Sequence, residues 1–192
     1  MTDVVWHIYL GEIPHGREGN YWVSFESDPA LKVTKANIYG RCLPCIQNLY
    51  EHLQQGRQEI ALGTALHCWK ITAVVRDLDE AVALLTEFEK RFPQGHVYGK
   101  MGNGRPGATT NVVVFHAENE AERDRLQDAL TQCVESLDIS APVQISRGCA
   151  VLYHDILGDG RNWQPVTAIK HPENVAPLLA KIKELLYRSA IS

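Results

Sequence analysis

Hydrophobic and polar positions follow two periods along this chain, and the changes of period mark its elements. Residues 69–75 (WKITAVV) are rich in β-branched side chains and end at a polar turn, which predicts a mostly buried strand. The period then lengthens: Ala81, Leu84, Leu85, Phe88 and Phe92 recur at helical spacing until Pro93 halts them. Asp77 with Glu80 three residues on is a capping-box start for that helix. Residues 96–101 (HVYGKM) return to strand composition, and residues 110–116 (TNVVVFH) have the strongest strand propensity in the chain. The glycine-rich stretch 102–108 between them is too short for a parallel crossover and predicts a long hairpin. Asn119 with Glu122 repeats the helix start, and Leu126, Ala129, Leu130, Cys133, Val134 and Leu137 lay down a second stripe before a closing strand at 143–147 (VQISR). The order β-α-β-β-α-β predicts an α+β protein with a ferredoxin-like core over about residues 66–147, both helices covering one face of an antiparallel sheet.

The flanks are less regular. Trp6, Ile8 and Leu10 alternate with polar or smaller neighbours, as do Tyr21, Val23 and Phe25, with a hairpin loop of breakers and charges at 14–19 between them. Residues 33–39 read as a third strand. Ile46, Leu49 and Leu53 predict a helix over 43–56, with Pro44 in its first turn and Gly56 as its stop. At the other end, Val175, Leu178, Leu179, Ile182, Leu185 and Leu186 form a stripe behind an Asn174 cap, with Pro177 in the tolerant first turn. That helix needs a docking surface, either the open face of the sheet or a second copy of the chain, and so points to a homo-oligomer. The expected organisation is a β-rich segment 1–60, the core 61–148, and a loop with its amphipathic helix 149–192, packed as one compact unit.

Composition narrows the function classes. A formal charge of −4 gives no electrostatic footprint for nucleic acid. No window is long and apolar enough to span a membrane, and the first residues lack the basic start of a signal peptide, so a cytoplasmic protein is expected. Five cysteines in 192 residues is an odd count in a chain large enough to fold without staples, which predicts reduced thiols.

Three constellations carry candidate chemistry. Cys42-Leu43-Pro44-Cys45, read as the start of a helix, resembles the CxPC element of thioredoxin-like proteins over these four residues. That resemblance implies a redox-active pair whose first thiolate is stabilised by the helix N-terminus. The alternative is that Cys45 is a small buried member of the Leu49 and Leu53 stripe. No metal site is expected, because His67 and Cys68, adjacent on a strand, would face opposite ways and could not complete a four-ligand zinc site with this pair. The second constellation is the glycine-rich hairpin, where Lys100, Arg105 and Thr109 describe an anion cradle or, alternatively, a solvated hairpin tip. The third is the run after the last core strand. Arg147 and Arg161 extend the anion site there, and Cys149 with His154 as base and Asp159 as its orienter would form a nucleophilic triad. A turn-rich tether anchored by Trp163 accounts for the same residues without chemistry. The leading expectation is a module binding a small anionic ligand, with no cofactor specified; the alternatives are a thiol-dependent enzyme and a structural or partner-binding protein.

Overall fold

The structure, a computed structural model, describes residues 9–12, 21–27, 34–93, 97–103 and 110–191. The chain divides into two compact units. The first comprises residues 1–40 and 69–145, the second residues 41–68 and 146–192.

The first unit carries strands β1 (Tyr9–Glu12) and β2 (Tyr21–Glu26), then β4 (Trp69–Val75), α2 (Leu78–Arg91), β5 (Tyr98–Asn103), β6 (Asn111–Ala117) and α3 (Glu120–Ser136); β7 (Gln144–Arg147) begins within it. The protein is α+β, and the spatial strand order is β1-β2-β5-β6-β4-β7. Its last four members follow the β-α-β-β-α-β order in sequence, the split βαβ arrangement expected. β4 pairs antiparallel with β6, and β6 with β5. β2 pairs antiparallel with β5 and β1 with β2, so the N-terminal strands extend this same sheet.

The caps form as the residues predict. The Asp77 carboxylate accepts from the Glu80 N–H at 2.9 Å, and Asn119 accepts from the Glu122 N–H at 2.8 Å. Each glutamate reaches back one residue past the cap, to the N–H of Arg76 and of Glu118. Strand and helix periods then meet in one core. Ile71, Ala73 and Val75 of β4 and Val113, Phe115 and Ala117 of β6 face the α2 and α3 stripes. Phe115 packs against Phe25 and against Phe88, both with ring centroids 4.8 Å apart. Gly99 is required beneath Phe25, since a Cβ there would lie 2.5 Å from the ring and 2.0 Å from the Val114 carbonyl oxygen.

The second unit holds most of α1 (Thr34–Gln54), a two-stranded antiparallel sheet of β3 (Glu59–Ala61) and β8 (Val166–Ala168), α4 (Ala150–Leu157) and α5 (Val175–Ile191). Three expectations are corrected here. Residues 34–39 do not form the expected strand: α1 begins at Thr34 and runs through them, and Val33 lies outside the described residues. Pro44 therefore lies inside the helix rather than in its first turn, and the predicted start at residue 43 is about two and a half turns late. Residues 150–157, expected as part of the loop that follows the last core strand, are helical. The predicted end of α1 is present. Gly56 adopts φ +66°, its N–H reaching the Leu53 carbonyl and that of Arg57 the His52 carbonyl, a Schellman closure.

A separate core forms in this unit from Cys45, Ile46, Leu49, Ile60, Tyr153, Ile156, Leu178 and Ile182, among others. The α5 stripe finds its surface here, in the same unit, against α4 and its neighbours. Asn48 and His52 of α1 bind Ala61 of β3: Asn48 Nδ2 donates to its carbonyl at 2.8 Å, and His52 Nε2 accepts from its N–H at 3.3 Å.

Candidate functional site

The second unit brings three cysteines together from three elements. Cys45 sits in the middle of α1, Cys68 immediately precedes β4, and Cys149 occupies the N-cap position of α4. Cys149 Sγ donates to Cys68 Sγ at 3.8 Å and also hydrogen-bonds to Cys45. Cys149 makes no side-chain cap bond to α4.

Backbone geometry fixes this meeting. The Gly148 N–H donates to the Cys68 carbonyl at 2.7 Å, laying the two segments side by side. Glycine is needed at that position because a Cβ would stand 2.4 Å from Cys68 Sγ. On the α1 side, the Tyr153 hydroxyl donates to the Cys45 carbonyl at 2.7 Å and accepts from Asn48 Nδ2 at 3.5 Å. Thr64 Oγ1 lies 3.4 Å from Cys45 Sγ. Cys45 and Cys149 are buried, and Cys68 is half-buried.

These neighbours set the acidity of Cys45. The hydrogen bond from Cys149 lowers its pKa to about 6, opposed by burial and assisted by Thr64. Tyr153 is pushed the other way, chiefly by burial, and stays a neutral donor. The helix-start reading of the CxPC element is corrected: with Pro44 inside α1, Cys45 is acidic because of two side chains distant in sequence and not because of a helix N-terminus. Cys42 lies on α1, but its side chain is outside the described residues.

The remaining sequence-predicted residues fall as follows. His154 is exposed on α4, whereas Cys149 is buried at the helix start among the other cysteines. The Asp159 carboxylate is held by Arg161, accepting from Nε at 2.8 Å and from the backbone N–H at 3.0 Å, which depresses its pKa to about 2. The Arg147 guanidinium donates to the Leu66 carbonyl. Lys100, in the first unit, places Nζ 4.2 Å above the Trp22 ring. Arg105 and Thr109 lie outside the described residues, as do His96 and the predicted hairpin at 14–19. Cys68, dismissed as a zinc ligand in the sequence, is the site residue that sequence reasoning missed. Its only local signal is the neighbouring His67, which points to nothing by itself.

A cavity of about 410 Å³ in the first unit is lined by Val74, Arg76, Glu80, Thr110 and Asp138, among others. Arg76 is paired with Glu80 at 2.8 Å, so two carboxylates face one neutralised cation, a poor setting for an anion. Among the described residues no group of three or more His, Cys, Asp or Glu is arranged to hold a metal ion. No helix among them is long and apolar enough to cross a membrane. No protein-family model, curated protein or solved structure matches the chain.

Proposed function

We propose that this protein is a thiol–disulfide module in which Cys68 and Cys149 exchange electrons with a disulfide substrate. The reading is carried by the approach of Cys149 Sγ to within 3.8 Å of Cys68 Sγ on adjoining backbone segments. Bonding requires the two sulfurs to close to about 2.05 Å. The exchange balances as follows. The Cys68 thiolate attacks one sulfur of the substrate, R–S–S–R′, forming a mixed disulfide and expelling R′S⁻. The Cys149 thiolate then attacks Cys68 Sγ, forming the Cys68–Cys149 bond and expelling RS⁻. The protein loses two electrons and two protons, and the substrate leaves as two thiols.

The anion-binding expectation has weaker support, because its cationic groups are already occupied. Arg161 serves Asp159, Arg147 serves a backbone carbonyl, and Lys100 serves an aromatic ring. The ferredoxin-like reading of the first unit adds no chemistry of its own, since that topology hosts many functions.

The test is a redox titration. Reduced protein equilibrated across graded ratios of reduced to oxidised glutathione, then alkylated and weighed intact, should lose two alkylatable thiols together at a defined midpoint. Cys149→Ser should retain glutathione as a mixed disulfide and form no internal bond. Alkylation of every thiol at every ratio would reject the proposal.

A further inference from the structure

Cys68 Sγ and Cys149 Sγ stand 3.8 Å apart as free thiols. A disulfide requires about 2.05 Å, so its formation must close nearly half of that separation. A thiolate-bound d10 metal ion asks for no such movement. Metal–sulfur bonds of about 2.3 Å, drawn from two sulfurs 3.8 Å apart, meet at an S–M–S angle of about 110°. We propose that the reduced Cys68–Cys149 pair is a chelating site for one Cu(I) ion. This inference goes beyond the exchange reading and does not depend on it, since no electron is transferred.

The donor set selects the ion. Two thiolates are soft ligands, which suit Cu(I) and zinc and are a poor match for Mg²⁺ or Ca²⁺. Zinc closes a structural site with four protein ligands, and among the described residues no group of three or more His, Cys, Asp or Glu is arranged to hold a metal ion. Cu(I) is satisfied by two sulfurs. The surroundings hold the pair at chelating distance. The Gly148 N–H bond to the Cys68 carbonyl, 2.7 Å long, fixes the two backbone segments against each other. A Cβ on Gly148 would stand 2.4 Å from Cys68 Sγ, so glycine keeps the space beside that sulfur clear. Arg147, two residues before Cys149, donates to the carbonyl of Leu66, two residues before Cys68. A guanidinium thus bridges the segments that carry the two sulfurs, the sign of charge that suits a complex of two thiolates and Cu(I) with a single net negative charge. Cys68 is half-buried and gives the ion its entry, while the buried Cys149 completes the chelate away from solvent. On binding, two S–Cu bonds form and two S–H bonds break. Both protons pass to solvent or to the thiolate of the low-molecular-weight carrier that delivered the ion, and the copper stays Cu(I).

An anaerobic competition titration tests this with the full, reduced chain. Cu(I) is shared between the protein and a chromophoric Cu(I) chelator, and the copper withheld from the chelator is read by absorbance. Wild type should withhold one equivalent. Cys68→Ser and Cys149→Ser should each weaken binding by about a hundredfold or more, beyond what loss of a group outside the ligand set costs. Cys133→Ser and the double variant Cys42→Ser with Cys45→Ser should still withhold one equivalent, and circular dichroism checks that each variant is folded. Mapping by alkylation needs no variant: in wild type, Cu(I) should protect Cys68 and Cys149 together, whereas Zn²⁺ at the same concentration should leave both alkylatable. Copper left wholly on the chelator, or protection of Cys42 and Cys45 in place of Cys68 and Cys149, would overturn the site. Loss of binding in the Cys42, Cys45 double variant with retention in Cys68→Ser would do the same. The outcome is separable from that of the glutathione titration. A chain that forms the Cys68–Cys149 disulfide and withholds no Cu(I) sinks this inference alone, and one that withholds Cu(I) but keeps every thiol alkylatable at all glutathione ratios sinks only the exchange reading.

Discussion

Cys133 of α3 and Cys45 of α1 are both buried thiols on the apolar stripe of a helix, one in each core, yet their acidities move apart. Burial among side chains such as Leu130 and Val134 pushes Cys133 up to about 11, with a small opposing pull from Arg91. Cys45 is brought down to about 6, although burial acts on it in the same sense, because Cys149 and Thr64 hydrogen-bond to its sulfur. A thiol's reactivity is therefore decided by the donors that tertiary structure aims at it, with burial setting only the background against which they act.

The largest expected effect comes from cutting into each core beside its thiol. Leu49→Ala and Leu130→Ala should each lose roughly 2–5 kcal/mol in denaturant unfolding, since both side chains are fully buried. Only Leu49→Ala should also disturb the titration of the acidic thiol, followed by ultraviolet thiolate absorbance. Equal disturbance by both would erase the distinction between the two environments.

Cys149→Ala attacks the comparison at its cause. Without the principal donor, Cys45 should titrate like an ordinary or raised thiol, and its thiolate fraction at pH 7 should fall roughly tenfold or more. An unmoved titration would assign the acidity to some other group.

The two thiols should also leave opposite marks on the pH dependence of stability. The folded Cys45 pKa lies below its unfolded value, so between about pH 6 and 9 the unfolded chain binds the extra proton. Stability from this group is present above pH 9 and is lost as pH falls through 6, by up to about 1.4 kcal/mol for each pH unit crossed. For Cys133 the folded pKa is raised, so its contribution is present below pH 9 and is lost as pH rises toward 11. Chemical denaturation across the range should show Cys45→Ser flattening the lower limb and Cys133→Ser the upper. Thr64→Val is the mildest probe. Loss of one hydrogen bond worth roughly 0.5–1.5 kcal/mol should raise the Cys45 midpoint by up to about one unit, with Cys133 unaffected.

Local signals carried most of the first unit. Asp77 with Glu80, Asn119 with Glu122 and two stripes at helical spacing specify where helices start and which face they bury, within windows of a few residues. Elements without such windows were misread. Ile38 and Tyr39 favour strands by propensity, but α1 extends through them from Thr34 and continues past Pro44. Residues 150–157 (AVLYHDIL) are apolar almost throughout, a pattern that fits helix and strand alike, and β3 and β8 are three residues each, too short for a period to register.

The candidate site shows the same boundary more sharply. By itself the sequence put Cys45 in register with the Leu49 and Leu53 stripe, put Cys149 after the last core strand, and gave an odd count of five cysteines. Only the tertiary structure decided that Cys149 meets Cys68 across 81 residues, and that both adjoin Cys45. The physical reason is that caps and periods are properties of neighbouring residues, whereas the approach of three sulfurs depends on how Gly148 lies against Cys68 and how α1 and α4 bury their stripes together.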